Sequence, residues 1–308
     1  MANEEKKIPQ GPPPMNMNRP GNANTITRKY FDSLLFQLRY IDGGEADTTV
    51  RYFGETFTSP IMPAALSHMG ENGTVEQGKA AKELGVMNWV GLCSDDELRR
   101  ICATGARTIR IIKPFLNEDR IFHEIKVAEE AGCIAVGMDI DHAFEPSGNV
   151  CVLEGEAMEP KTREQLKRYA EATKLPFIAK GVLSVVDAVK CAEAGLAGIV
   201  VSHHGGKMDY AVPPVMILPQ IKAAVGDRMK IFVDCGVESG HDAFKALALG
   251  ADGVSVGKPL LKALMRKDSD GMEAAKVLAG YTQQLKAVME FTGCKTLGEI
   301  TPDIIMRL

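Results

Sequence analysis

The sequence has no excess of basic residues: Lys and Arg number 36 against 40 Asp and Glu, a formal net charge of -4. That balance gives no footing for nucleic acid or another polyanion, which requires a basic face. No apolar run is long enough to cross a membrane, and none near the N-terminus reads as a secretory leader. The seven cysteines (Cys93, Cys102, Cys133, Cys151, Cys191, Cys235 and Cys294) form no CxxC pair and are odd in number. We therefore expect free thiols in a reducing cytoplasm rather than a disulfide framework. HExxH spacing is missing too. Asp139, Asp141, His142 and His204 could supply metal-binding atoms, but no metal is expected from them.

What is present has a rhythm. Residues 1–25 are rich in Pro, Asn, Gly and Met (GPPPMNMNRPGNAN). They bury too little apolar surface to offset their ordering entropy, so a flexible tail is expected there. A lead-in helix or turn is expected over Tyr30 to Ile41, then a short strand or hairpin in TTVRYFG. Apolar runs of strand length follow at 60–65, 86–92, 108–112, 133–139, 176–180, 197–202, 230–234 and 252–257. Helical spacing starts near 74, 94, 117, 161, 184, 213, 239 and 259. Continuous apolar strands alternating with amphipathic helices predict a parallel sheet covered by helices. Four times a helix ends in glycine and feeds a buried strand, with Gly85, Gly132, Gly195 and Gly250 where a left-handed residue is needed. Eight such units predict one α/β domain over 26–308, a (β/α)8 TIM barrel with an N-terminal extension and C-terminal helices. A doubly wound open sheet competes, but PAALSHMG is not the glycine-rich dinucleotide loop that such a sheet carries after its first strand.

A barrel of this kind does its chemistry at the C-terminal ends of its strands. Those ends read Ala64 and Ala65, Gly91, Lys113, Asp139 and Asp141, Lys180, Ser202 to Gly206, Asp234 to Gly236, and Gly257 with Lys258. Three lysines, three aspartates and a His-His pair exceed what a stability face needs. DCGVESG and SVGKPLL, after the seventh and eighth strands, look like a phosphate cradle. Gly236 and Gly257 allow close backbone approach, and the helices that follow aim free N–H groups at an anion.

The stretch from Pro176 to Leu261 resembles the FMN-dependent α-hydroxy acid oxidase and dehydrogenase family, which includes glycolate and lactate oxidases. PFIAKGVLSVVDAVKCAEAGLAGIVVSHHGGKMDY is similar to that family's lysine strand and histidine signature, and VDCGVESGHDAFKALALGADGVSVGKPLL to its phosphate-binding half. The likeness is weaker from Phe53 to Asp141. It implies FMN as cofactor, His204 as catalytic base and Asp141 as the carboxylate orienting it. It places Lys180 beside flavin N1 and O2, Ser202 close to the flavin, and Ala64 and Ala65 against the ring. Asp234 would hold the ribityl chain, and Gly236, Gly257 and Lys258 the phosphate. Gly91, Lys113 and Asp139 would complete the cofactor's surroundings, and a homotetramer is implied. A lysine near N1 favours reduction of the flavin, and a histidine backed by a carboxylate can take the substrate's proton.

Departures from the family pattern bear on the substrate. The signature arginine is Lys207, a point charge without the bidentate fork. No arginine follows Asp141 in HAFEPSGN, a substrate tyrosine is replaced by Phe115, a flavin-contacting glutamine by Lys113, and a phosphate arginine by Glu238. The flavin-and-base core is kept and the carboxylate clamp mostly lost. The expected reaction is oxidation of a 2-hydroxy acid or related alcohol, with Lys207, Phe115 and His204 meeting the substrate. An FMN barrel enzyme of another class, such as an isomerase like type 2 isopentenyl diphosphate isomerase or a reductase, stays open. A substrate larger or less acidic than a small hydroxy acid also stays open. Outside this set, His203 is expected to be a structural hydrogen-bonding residue and Cys235 a small packed side chain; His142, beside Asp141, is expected on a surface loop, with a reach into the pocket as the alternative.

Overall fold

The computed structural model describes residues 19–308 apart from 68, 71 and 267–269. The first helix, α1 (Ala23–Asp32), is capped by Asn22, whose side chain accepts from the Thr25 amide at 3.0 Å. Strand β1 (Leu34–Phe36) follows. A hairpin of β2 (Val50–Tyr52) and β3 (Glu55–Phe57) then turns through Phe53 and Gly54, at φ 50° and 86°. Two consecutive positive φ values match the twist of a tight hairpin.

From there the strand–helix rhythm runs as the sequence predicts. β4 (Ile61–Pro63), α2 (Gly73–Leu84), β5 (Asn88–Val90), α3 (Asp95–Ala103), β6 (Thr108–Ile112), α4 (Glu118–Glu130) and β7 (Ala135–Asp139) come first. A 3-10 turn (Ile140–His142) and a small hairpin, β8 (Val152–Leu153) with β9 (Glu156–Ala157), interrupt before α5 (Arg163–Glu171). The series resumes with β10 (Phe177–Val182), α6 (Val185–Glu193), β11 (Gly198–Val201), α7 (Pro214–Val225), β12 (Lys230–Val233), α8 (Gly240–Ala248), β13 (Gly253–Val256) and α9 (Lys258–Leu264). A long helix, α10 (Met272–Phe291), and β14 (Ile305–Arg307), antiparallel to β1, finish the chain.

Ser94, Asn117, Thr162, Ser184 and Ser239 each cap a helix N-terminus through the side chain, Thr162 in a full capping box with Gln165. Gly85, Gly132, Gly195 and Gly250 do take positive φ, from 67° to 110°. The strands are parallel, in the order β4-β13-β12-β11-β10-β7-β6-β5. A parallel bridge between Leu66 and Val90, with the Gly91 amide donating to Leu66 O at 3.1 Å, joins the two ends and closes the barrel. Regular pairing stops short of the expected spans, at 61–63 instead of 60–65 and 88–90 instead of 86–92. Beyond them, Ala64, Ala65 and Gly91 continue toward the mouth, the Ala64 amide still donating to Val256 O at 2.9 Å.

The core has two compartments. One lies between strands and helices. The other fills the barrel interior with Met62, Met87, Trp89, Ile109, Ile111, Ile178, Val200 and Phe232, and is plugged by Tyr52 and Phe57 of the β2–β3 hairpin. The Tyr52 hydroxyl donates to Asp252 O at 2.6 Å and pins the plug. With its interior filled, the barrel can take a ligand only at the far end.

The expected boundary at residue 25 requires correction. Residues 1–18 of the expected flexible tail lie outside the described residues. Residues 19–25 are structured: Arg19 pairs with Asp209 at 2.6 Å, and the Tyr210 amide donates to Gly21 O at 2.7 Å. The lead-in helix starts at Ala23, not Tyr30. It is docked across the barrel mouth by Arg28, whose guanidinium grips both Asp242 oxygens at 2.8 and 2.9 Å.

Candidate active site

A cleft of about 190 Å³ opens at the C-terminal ends of the strands. Ala64, Ala65, Lys180, His204, Asp234, Gly236, Gly257 and Lys258 line it, as the sequence predicts. Lys180 and His204 therefore face one common space. Asn24, Leu66, Val237, Glu238 and Ser255 also line it.

His204 follows β11 at φ 51°, a left-handed conformation costly for a residue with a Cβ. The Ser202 hydroxyl holds it there by accepting from the His204 amide at 3.0 Å. Both Asp141 oxygens lie 3.1 Å from its Nδ1. Asp141 can stand so close because β10 carries a register irregularity after Lys180, and because residue 181 is glycine. At φ 96°, a Cβ on Gly181 would lie 2.3 Å from Asp141 Cγ. Burial works against the charge of Asp141, but His204 outweighs it and its carboxyl is held below the usual range.

Beneath them is a buried ion cluster. Asp139 receives Lys180 Nζ on one oxygen and Lys113 Nζ on the other, each at 2.7 Å. Burial opposes both charges, yet the pairing prevails: Asp139 is held well below, and Lys180 well above, their ordinary values. Ligand atoms of Asp139, His142 and His204 lie within 4.8 Å of one another. Two ammonium groups already occupy the carboxylate of Asp139, which leaves a cation poor purchase there.

The phosphate cradle has the donors that an anion needs. Among the described residues, the amides of Gly236, Val237 and Gly257 find no acceptor in the protein. The starts of α8 and α9 lie alongside, with the Lys258 ammonium 2.9 Å from Asn24 Oδ1. This donor set, next to an apolar wall of Ala64, Ala65 and Leu66, fits a planar cofactor ending in phosphate. Gly236 answers a different need from the expected one: a Cβ there would lie 2.6 Å from Thr27 of α1, so its bareness admits the helix. Gly91 is likewise a packing glycine, since a Cβ would meet Ser67 Oγ at 2.3 Å.

Several residues stand elsewhere than expected. Phe115 is fully buried, with the Arg120 guanidinium stacked 3.7 Å over its ring, so it faces the core and not a substrate. Lys113 and Asp139 lie under the mouth rather than on the cleft wall. Ser202 supports the His204 backbone. Lys207 borders a neighbouring cavity, where its Nζ donates to Asp141 O at 2.9 Å. His142 is no surface loop residue: its ring centroid lies 4.9 Å from that of His204. His203 is structural as expected, bonded to Thr27 Oγ1 at 2.9 Å and accepting the Gly206 amide at 3.0 Å. Cys235 is packed, with its thiol pushed up by burial and by Asp234. Asn24 was hidden by the composition of the tail. Ser255 carried a usable signal, since alternation along SVG points it inward two residues before the cradle glycine.

A family model described as FMN-dependent dehydrogenase matches residues 20–163 and 152–307. Glycolate oxidase 3 of Arabidopsis thaliana is 30% identical over 89% of this chain and 85% of its own length. The 4-hydroxymandelate oxidase of Amycolatopsis orientalis is 29% identical, over 82% and 81%. A solved structure of mandelate oxidase with (S)-mandelic acid superposes with a TM-score of 0.83 at 28% identity, covering 94% of this chain and 90% of that one.

Proposed function

This chain belongs to the FMN-dependent dehydrogenase family, and from that premise we propose how its residues oxidise a 2-hydroxy acid to the 2-oxo acid. FMN, when bound, accepts the two electrons that leave the carbinol carbon. The free amides of Gly236, Val237 and Gly257, with Lys258 and the starts of α8 and α9, would hold its phosphate. Asp234 would take the ribityl hydroxyls, and Ala64 and Ala65 would flank the ring.

The observation that carries the reading is the His204–Asp141 contact, both oxygens 3.1 Å from Nδ1, in the same cleft as Lys180. Donation from Nδ1–H to the carboxylate leaves Nε2 unprotonated, the form that accepts a hydroxyl proton. The imidazolium that results is stabilised by Asp141 and by Asp139, 3.8 Å away. Lys180, kept charged by Asp139, puts a fixed positive charge in the cleft, where negative charge collects on reduction. The oxidase activities of the relatives favour oxidation over isomerisation. The same reading takes the protein to act in the cytoplasm as a homotetramer. Seven free cysteines fit a reducing compartment, and light scattering on the purified protein tests the assembly.

The test is anaerobic mixing of the yellow holoenzyme with a panel of 2-hydroxy acids. Bleaching of the flavin by wild type, and its loss in a His204→Ala protein that keeps its FMN, is the expected result. A protein that cannot be loaded with FMN, or a variant that bleaches at the wild-type rate, would overturn the reading.

A further inference from the structure

The left-handed conformation of His204, at φ 51°, persists only where its surroundings over-determine it. The loop that carries it, residues 202–210, is built of turns and bends. Side chains hold its amides in place. Ser202 Oγ accepts from the His204 amide at 3.0 Å, Cys235 Sγ from that of Gly205 at 3.2 Å, and His203 Nδ1 from that of Gly206 at 3.0 Å. The ends of the barrel strands supply the first two acceptors. The third depends on what holds the His203 ring.

That ring is held from outside the barrel, by the strap of residues 19–32 that lies across the mouth and contains α1. Because Nδ1 accepts an amide, the ring proton is on Nε2, and Nε2–H donates to Thr27 Oγ1 at 2.9 Å in a buried contact. Burial keeps His203 below its ordinary value, so the ring stays neutral and the pattern of donors is fixed. The strap meets the same loop elsewhere too. Asn24 Nδ2 donates to Gly205 O at 2.7 Å, the Tyr210 amide to Gly21 O at 2.7 Å, and Arg19 pairs with Asp209 at 2.6 Å. Two glycines are matched to this contact: a Cβ on Gly206 would collide with the Asn24 amide, and one on Gly21 with the Tyr210 ring. The residues on either side of the base, His203 and Gly205, are therefore both bonded to the strap.

We propose that the strap is a positioning element for proton transfer, with Thr27 acting through His203 to set the place of the His204 imidazole. Thr27 and His203 are positioning residues, since neither lines the cleft that His204 faces. The inference rests on the oxidation reading given above and adds no chemical step to it. A base displaced by about 1 Å can cost on the order of 100-fold in rate, while the cradle that holds the cofactor is left as it was.

Stopped-flow flavin reduction of the holoenzyme by the panel of 2-hydroxy acids, paired with amide hydrogen exchange over residues 202–210, tests this. Thr27→Val keeps the volume and removes the acceptor. It should lower kcat about tenfold, the loss of one hydrogen bond, with KM and FMN content within about twofold of wild type. Exchange in the loop should quicken by about tenfold as well. Thr27→Ser, which keeps the hydroxyl, should bring both readings back to within about twofold of wild type. Gly21→Ala, which disturbs the strap against Tyr210 and not against the barrel, should lower kcat about threefold. Wild-type kcat or unchanged loop exchange in Thr27→Val overturns the proposal, as does a Thr27→Ser protein no better than Thr27→Val. If Thr27→Val does not fold, the same two readings on Gly21→Ala decide. If no acid bleaches the wild-type flavin, the oxidation reading falls, and loop exchange alone decides whether the strap holds the loop.

Discussion

The arc of the mouth built from β10 to β13 and the arc built from β6 and β7 handle polar groups in opposite ways. In the late arc they are left facing the cleft: Lys180, His204, Asp234, Ser255 and the free amides of the cradle. In the early arc they are turned on one another. Lys113 and Asp139 are 6% and 2% exposed and paired, and Phe115 is sealed under Arg120. The difference teaches where adaptation is possible. The late arc must meet a charged cofactor and a proton in flight, so its residue types are constrained. The early arc turns Lys113 on Asp139 and lends Asp141 to the base.

Changes that reach His204, the base of the late arc, should be the more damaging to turnover, whichever arc they start from: Asp141 follows β7 and Gly181 lies in β10. Asp141→Asn would remove the acceptor that fixes the His204 tautomer. We expect kcat to fall about 10²- to 10⁴-fold with FMN retained, read by stopped-flow flavin reduction. A loss under tenfold would break the comparison at its strongest point. Gly181→Ala drives a Cβ into Asp141 and strains a left-handed residue. A rate loss of about 100-fold and a stability loss of about 1–3 kcal/mol are expected, the second from urea denaturation. In the early arc, Lys113→Met should cost mainly stability. About 3 kcal/mol is expected, the low end for stripping one partner from a buried pair, because Lys180 still holds Asp139. A kcat loss as large as that of Asp141→Asn would show the two arcs are not separable.

A separate effect concerns pH. The folded state holds His142 near 3 against 6.5 when unfolded. Between those values the unfolded chain binds a proton that the fold excludes, so stability falls as pH is lowered through that window. Asp139 and Asp141, depressed in the fold, add their losses only below the ordinary aspartate range. His142→Phe should flatten the melting-temperature profile between pH 6.5 and 4 and leave the steeper acid limb in place.

The barrel was legible because its signals are local: apolar runs bounded by helix caps, and glycines whose positive φ ends four helices. The late arc was legible for a related reason. His204, Lys180 and the cradle lie at strand ends, where the fold allows one direction. The misreadings came from long-range partners. Nothing in GPPPMNMNRPGNAN announces that Asn22 caps a helix, or that Arg28 will find Asp242. Phe115 was placed at the substrate because it stands where the resemblance puts a substrate tyrosine. Met158, which bridges to it antiparallel, is remote in sequence, and Arg120 reaches back over it from α4. His142 looked peripheral because its neighbours, Lys113 and His204, come from other strands.

The docking of α1 across the mouth has a consequence for biosynthesis. Asn24 bonds to Gly205 O and Lys258, and Arg28 to Asp242, partners 181 to 234 residues further along the chain. At roughly 5–20 residues per second, translation leaves the first helix without its contacts for about 10–40 s. An early segment is therefore among the last to find its place, and a nascent chain stalled before the end of β11 would hold the strap with none of these partners yet made.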